Sequence, residues 1–342
     1  MSNSSGSLSS IINGVLNLFS KQPATTPPPA PATPPDSATE PIQIVTSRVL
    51  MVIFDPVVDA ATSMKLSQKM NWKRADELAA GYSSDILECS GGVARYQIVQ
   101  RIELNEFPVF ADGFQYTASS YLPVLNRSAQ PHAPEGVNYT ALLSRFNIMQ
   151  RVANNEIDEV WFFAFPHAGF YESIMGGYGA FFCNSNPLPN TATCPRRFVL
   201  MGFSMERGVG EMLESFGHRS EFSMGKAFAR VSGDANLYKK FALYDKIAPG
   251  KANIGSIHYA PNSNQDYDWG NTSMVASYCD DWYNLPNFKG TVKQVNCVEW
   301  GNGEIRAHHK WWLKHLPKVA GRKNGVANNW WQYIVDPNRI SV

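Results

Sequence analysis

Short, unbroken apolar runs alternate along the chain with stretches whose apolar positions recur at helical spacing. The segment "RVLMVIFDP", from Arg48, is an apolar run closed by Asp-Pro and predicts a buried strand running into a loop. A helical segment over residues 72–82, a longer strand at "ARYQIVQRIEL" and a helix over residues 139–153 follow. Then come two fully apolar strands, "DEVWFFAFP" and "RRFVLMGF", and a helix containing "GEMLESFGHRSE". Strands alternating with helices predict an α/β fold, a mostly parallel sheet flanked by helices on both faces.

Beyond about residue 235 the pattern loosens into Asn, Gly, Trp and Pro loops, with short helices expected at "SMVASYCDDWYNL" and "EIRAHHKWWLKHL". This part predicts a loop-rich aromatic cap over the C-terminal edge of the strands, without a sheet of its own. Residues 47–342 therefore read as a single α/β domain of catalytic type, with a core at 47–235 and a cap at 236–342.

The N-terminus has a different pattern. Leu8, Ile11, Ile12, Val15, Leu16, Leu18 and Phe19 make one apolar stripe at helical spacing, which predicts an amphipathic docking or targeting helix over residues 1–21. A Pro-rich linker over residues 22–46 follows, stiff and extended by composition. The expected partner is a protein, shell or tube with a groove for the stripe. A lipid surface fits less well, because Lys21 is the only cation beside the stripe. The segment lacks the charged start and cleavage site of a secretory signal, so the expectation is cytoplasmic synthesis followed by loading into a particle or export by a non-classical route, as a cargo or effector.

Composition narrows the partners further. The 342 residues are 44% hydrophobic and 17% charged with a net charge of +1, which argues against a nucleic-acid partner. No apolar run approaches the roughly 20 residues of a transmembrane segment. Nine Trp and 14 Tyr, concentrated toward the C-terminal half, suit core packing and also the walls of a peptide or glycan cleft. Five cysteines show no CxxC pair. Cys183 with Cys194 and Cys279 with Cys297 bracket loops and are the pairs that would bridge in an oxidising compartment, while Cys89 reads as a buried thiol.

The acid-rich helix carries the main chemical signal. At about 100° per residue, Glu211, Glu214, His218 and Glu221 share a face about 80° wide. Such a face is either a solvated stripe or a metal-binding one, since clustered carboxylates need positive charge among them. In the metal reading His218, Glu221 and His258 are the ligands of zinc or another divalent cation, with His308 or His309 as alternative third ligands. Glu214 or Glu206 then serves as general base, and Asp266 and Asp268 stand behind the ligands. This predicts a metal-dependent hydrolase, preferably a peptidase or amidase.

Three further constellations compete with it. In open parallel sheets ligands gather at the strand ends, which offers Asp55, His167, Glu172, Ser204 and Glu206. Glu172 with Glu206 could be the carboxylate pair of a glycan-active hydrolase, with tryptophans as sugar platforms. The strand, Gly202-Phe203-Ser204 and following helix resemble the nucleophile elbow of the α/β-hydrolases, although Glu206 replaces the second glycine. That resemblance implies Ser204 as nucleophile, an acid among Asp266, Asp268, Asp280 and Asp281, and His308 or His309 as base. The non-enzymatic alternative is a carbohydrate-binding or delivered effector module whose acid cluster is structural.

Overall fold

A computed structural model describes residues 34–341. The long apolar runs become strands because each buries both of its faces. Strand β1 (Val45–Phe54) places Val49, Met51 and Ile53 in one apolar layer and Leu50, Val52 and Phe54 in the other. After a small hairpin of β2 (Val57–Asp59) and β3 (Met64–Lys65), the chain forms β4 (Ala94–Leu104), β5 (Glu159–Ala164), β6 (Ser173–Gly176) and β7 (Phe198–Ser204). The main sheet has the order β4-β1-β5-β7-β6. Its first four strands are parallel, and β6 runs antiparallel along β7 at the edge. The α/β expectation with a mostly parallel sheet is met.

Helices Ala118–Leu125, Tyr139–Arg145 and Ile148–Ala153 cover one face. The single helix expected over residues 139–153 is broken at Asn147, whose φ of 50° is left-handed and cannot continue a right-handed turn. The other face carries helix Ala75–Cys89 and the long helix Val209–Ala227.

The C-terminal third lies over that second face, not over the strand ends as expected. Helix Ile305–Lys314 packs on the long helix and on Ala75–Cys89, and helix Trp331–Val335 packs on the long helix and β1. One apolar cluster accordingly runs from Val45 to Ile340 and includes Trp300, Trp311, Trp312, Trp330 and Trp331. The expectation that this part builds no sheet also fails: β8 (Val275–Ser277) pairs with β9 (Lys293–Val295), and β10 (Lys318–Lys323) with β11 (Val326–Asn329). The helix expected at "SMVASYCDDWYNL" is instead β8 followed by a 3-10 turn, Cys279–Asn284.

The end of the expected linker is tied to the body. Ser37 bridges to Arg322, Glu40 forms an ion pair with Arg322, and the carbonyl of Gln43 accepts the side-chain amide of Asn329. The docking helix expected over residues 1–21 lies outside the described residues. Among the described residues no helix is long and apolar enough to cross a membrane.

All five cysteines are unpaired and buried, which overturns both expected disulfides. Cys183 and Cys194 belong to the apolar layers on opposite faces of the sheet. Cys279 and Cys297 follow β8 and β9, and because those strands are antiparallel the two residues leave the ladder at opposite ends.

Candidate metal centre

The long helix begins where Glu211 accepts the Gly208 N–H at 2.9 Å, closing its first turn. Glu211 is thereby occupied and stands apart from the other acids of its face. That face is not a solvated stripe. Glu214 is only 9% exposed, because the C-terminal third packs where water would otherwise be.

Two glycines let the covering segments approach. A Cβ on Gly217 would lie 2.3 Å from the side chain of Ile257, and one on Gly210 would lie 2.6 Å from that of Ile305. Close packing at Gly217 brings in His258, the next residue after Ile257. Close packing at Gly210 brings in helix Ile305–Lys314 with His308 and His309. Glu304 caps that helix by accepting the N–H groups of Arg306 and Ala307.

Glu214 becomes the centre of the cluster. Its Oε1 is 2.9 Å from His258 Nε2 and 4.0 Å from His218 Nε2, and its Oε2 is 3.8 Å from His309 Nε2. The Tyr267 hydroxyl donates to the same Oε1 at 3.2 Å. Tyr267 holds a left-handed φ of 58°, a conformation disfavoured for an aromatic side chain that the surroundings must enforce.

Behind the converging Nε2 edges, each imidazole is held through its far nitrogen. His218 Nδ1 lies 3.4 Å from Glu221 Oε2, His258 Nδ1 lies 2.9 Å from Asp266 Oδ1, and His309 Nδ1 lies 3.0 Å from His308 Nδ1. Trp269 stacks on His308 and meets His309 edge-on, which fixes both rings. The other oxygen of Glu221 accepts the Ile257 N–H at 2.9 Å, so one carboxylate orients His218 and anchors the strand of chain that carries His258.

The electrostatics follow from burial and pairing. Burial opposes charge on Glu214, but its bond to His258 outweighs that and holds the carboxyl well below the usual range. Burial likewise opposes charge on His218, yet Glu221 first, then Glu172 and Glu214, raise its pKa to about 9. His308 and His309 are pushed down by burial and stand neutral at neutral pH.

These residues fit a divalent cation. Glu214, His218 and His258 each offer one donor atom, and the three atoms lie within 4.8 Å of one another. Donors held at about 2.1 Å from one ion are about 3 to 4 Å apart, in keeping with the 2.9 and 4.0 Å from Glu214 Oε1 to His258 and His218. Carboxylates on the far nitrogens of His218 and His258 are the usual support of metal-binding imidazoles. The buried Nε2 of His309 has no hydrogen-bond partner and lies 3.8 Å from Glu214 Oε2, beside the donors of the cluster.

The structure thus brings together Glu214, His218 and His258, adds His309, and moves Glu221 from the expected ligand position to the outer side of His218. Asp266 stands behind His258 as expected, whereas Asp268 is spent on its own loop, accepting from Asn264 and Asn271. Tyr267 and Trp269 carried no sequence signal of their own.

The strand ends do not form the site. Asp55 accepts the N–H and hydroxyl of Ser67, and His167 is paired loosely with Glu135 at 3.6 Å. The buried Ser204 hydroxyl has no hydrogen-bond partner and hence no base, so the nucleophile elbow is not assembled. Glu172 accepts from Asn184 at 2.6 Å, and its charge reaches His218 and Tyr267. Glu206 is exposed, and its charge reaches Tyr121, in the apolar layer on the opposite face of the sheet. The carboxylate pair expected for glycan hydrolysis is not brought together by any shared contact.

No protein-family model, no curated protein and no solved structure matches the chain.

Proposed function

We propose that this protein is a metal-dependent hydrolase acting on a peptide or another amide bond. The observation that carries the reading is the convergence of His218, His258 and His309 on Glu214, with the outer nitrogen of every ring already held. A divalent cation in such a nitrogen and oxygen set polarises a carbonyl and lowers the pKa of a bound water toward neutrality. Tyr267, half exposed at the rim with its hydroxyl on Glu214, is the donor for charge developing on the substrate oxygen. Glu172, whose charge acts on His218 and Tyr267, is the carboxylate that takes up a proton from water. Glu206 has no part in this reaction.

The test is metal analysis of the purified full chain together with a panel of blocked dipeptides and simple amides, with and without chelator. Hydrolysis that disappears with chelator, returns with zinc and is lost in H258A and E214Q supports the reading. The deep burial of Glu214, His258 and His309 favours a second reading, a structural ion within a binding or effector module. Bound metal without hydrolysis of any amide decides for that one.

A further inference from the structure

A second donor group lies where the 3-10 turn Cys279–Asn284 meets the end of helix Ile305–Lys314. Cys279, Asp280 and His315 each direct one donor atom there, all within 4.8 Å of one another. Cys279 is fully buried, and its Sγ is 3.8 Å from Asp280 Oδ1.

His315 supplies an independent pointer to a ligand. It is 3% exposed, and its Nδ1 lies 2.8 Å from the carbonyl oxygen of Trp311. A carbonyl can only accept, so Nδ1 is the N–H nitrogen and the lone pair sits on Nε2. That Nε2 is buried and has no hydrogen-bond partner. Leaving a buried acceptor unmet is costly, and native structures rarely do so without a water or an ion. A backbone carbonyl on the far nitrogen is also how proteins orient a metal-binding imidazole.

We infer that Cys279, Asp280 and His315 form a zinc site separate from the Glu214 cluster. One thiolate, one imidazole and one carboxylate is a set that selects zinc over magnesium or calcium, which prefer all-oxygen surroundings. The thiolate and carboxylate balance the charge of the ion. Lys293, 3.5 Å from Asp280 Oδ2, is itself balanced by Glu299 at 2.7 Å, so no net positive charge opposes the ion. Asp280 is partly exposed, which leaves the fourth position to water. The ion would clamp the turn after β8 to the end of the helix that carries His309, which makes its role structural.

Sulfur distinguishes this site from the first. The full chain, purified under reducing conditions, is stripped with chelator and titrated anaerobically with Co2+. Wild-type protein should develop the near-ultraviolet thiolate-to-cobalt charge-transfer absorption, and C279S should lose it. C279S should also bind one zinc equivalent less than wild type, while the double variant H218A/H258A keeps the absorption. If C279S does not fold, H315Q takes its place and should weaken cobalt binding at this site at least tenfold. Absence of the absorption in wild type, or its persistence unchanged in C279S or H315Q, overturns the inference.

Discussion

Arg219 of the long helix and Glu159 of β5 form an ion pair at 2.7 Å with both side chains 1% exposed. Arg219 also donates to the carbonyls of Ile334 and Val335, and Glu159 accepts from Trp161. The pair sets the rotation of the helix. With Arg219 directed at the sheet, Glu214, His218 and Glu221 turn toward the outer layer. Breaking it leaves a buried charge without a partner, so E159Q should cost about 3 to 5 kcal/mol in urea unfolding. The double variant E159L/R219M should recover much of that loss, and a loss below about 1 kcal/mol in E159Q would show that the pair does not hold the helix.

Gly217 sets how close His258 can come. G217A forces its Cβ against Ile257 and should weaken zinc binding at least tenfold, with overpacking costing about 1 to 3 kcal/mol. Gly225 lies on the same helix with nothing near its missing Cβ. G225A should be neutral or stabilising by up to about 1 kcal/mol and leave zinc binding unchanged. Calorimetric titration with zinc separates the two.

The carboxylates behind the histidines should matter almost as much as the ligands. E221Q and D266N are expected to fold and to lose about 10-fold to 100-fold in zinc affinity, measured by competition with a chromophoric chelator. D268N, which changes only a loop contact, is the control and should bind zinc as wild type does.

In the chelator-stripped protein, His218 has a folded pKa of about 9 against about 6.5 when unfolded. A raised folded pKa means that the protonated ring stabilises the fold, fully below about pH 6.5 and progressively less as pH rises to about 9. Stability measured by urea unfolding should therefore fall across that window by a few kcal/mol, and H218Q should remove most of the slope. A wild-type profile as flat as that of H218Q would show that the ring is not held as a cation.

Ser37, Glu40 and Gln43 contact the C-terminal hairpin, so an addressing role for the N-terminal stripe must be tested by removing residues 1–33 alone. The truncated chain should unfold at the same urea concentration as the full chain. Fused to an unrelated carrier, residues 1–33 should take it to the destination of the intact protein, as followed by fractionation.

The sheet was readable because four of its strands are apolar runs or long β-rich stretches, and such local patterns survive in one sequence. The acid-rich helix was readable for the same reason, and so were His218 and Glu214 as neighbours. Which acid would sit at the centre was not. Glu214 takes that place because His258, 44 residues away, and His309, on a separate helix, both reach it. Pairings at such range depend on glycine contacts at residues 210 and 217 that no periodicity encodes. The short hairpins after residue 235 were missed because three to six residues with loop composition carry almost no alternation. Buried thiols suggested disulfides only because spacing ignores the sheet lying between Cys183 and Cys194.

The donors of the Glu214 cluster are spread along the order of synthesis. A ribosome finishes the sheet and the long helix, with Glu214 and His218 in place, well before it reaches His309. Until helix Ile305–Lys314 has emerged, that half-built cluster has only part of its donor set. An ion held by the full donor set would thus report that synthesis has passed residue 309, and chains truncated before it would be sorted from longer ones by their failure to retain the ion.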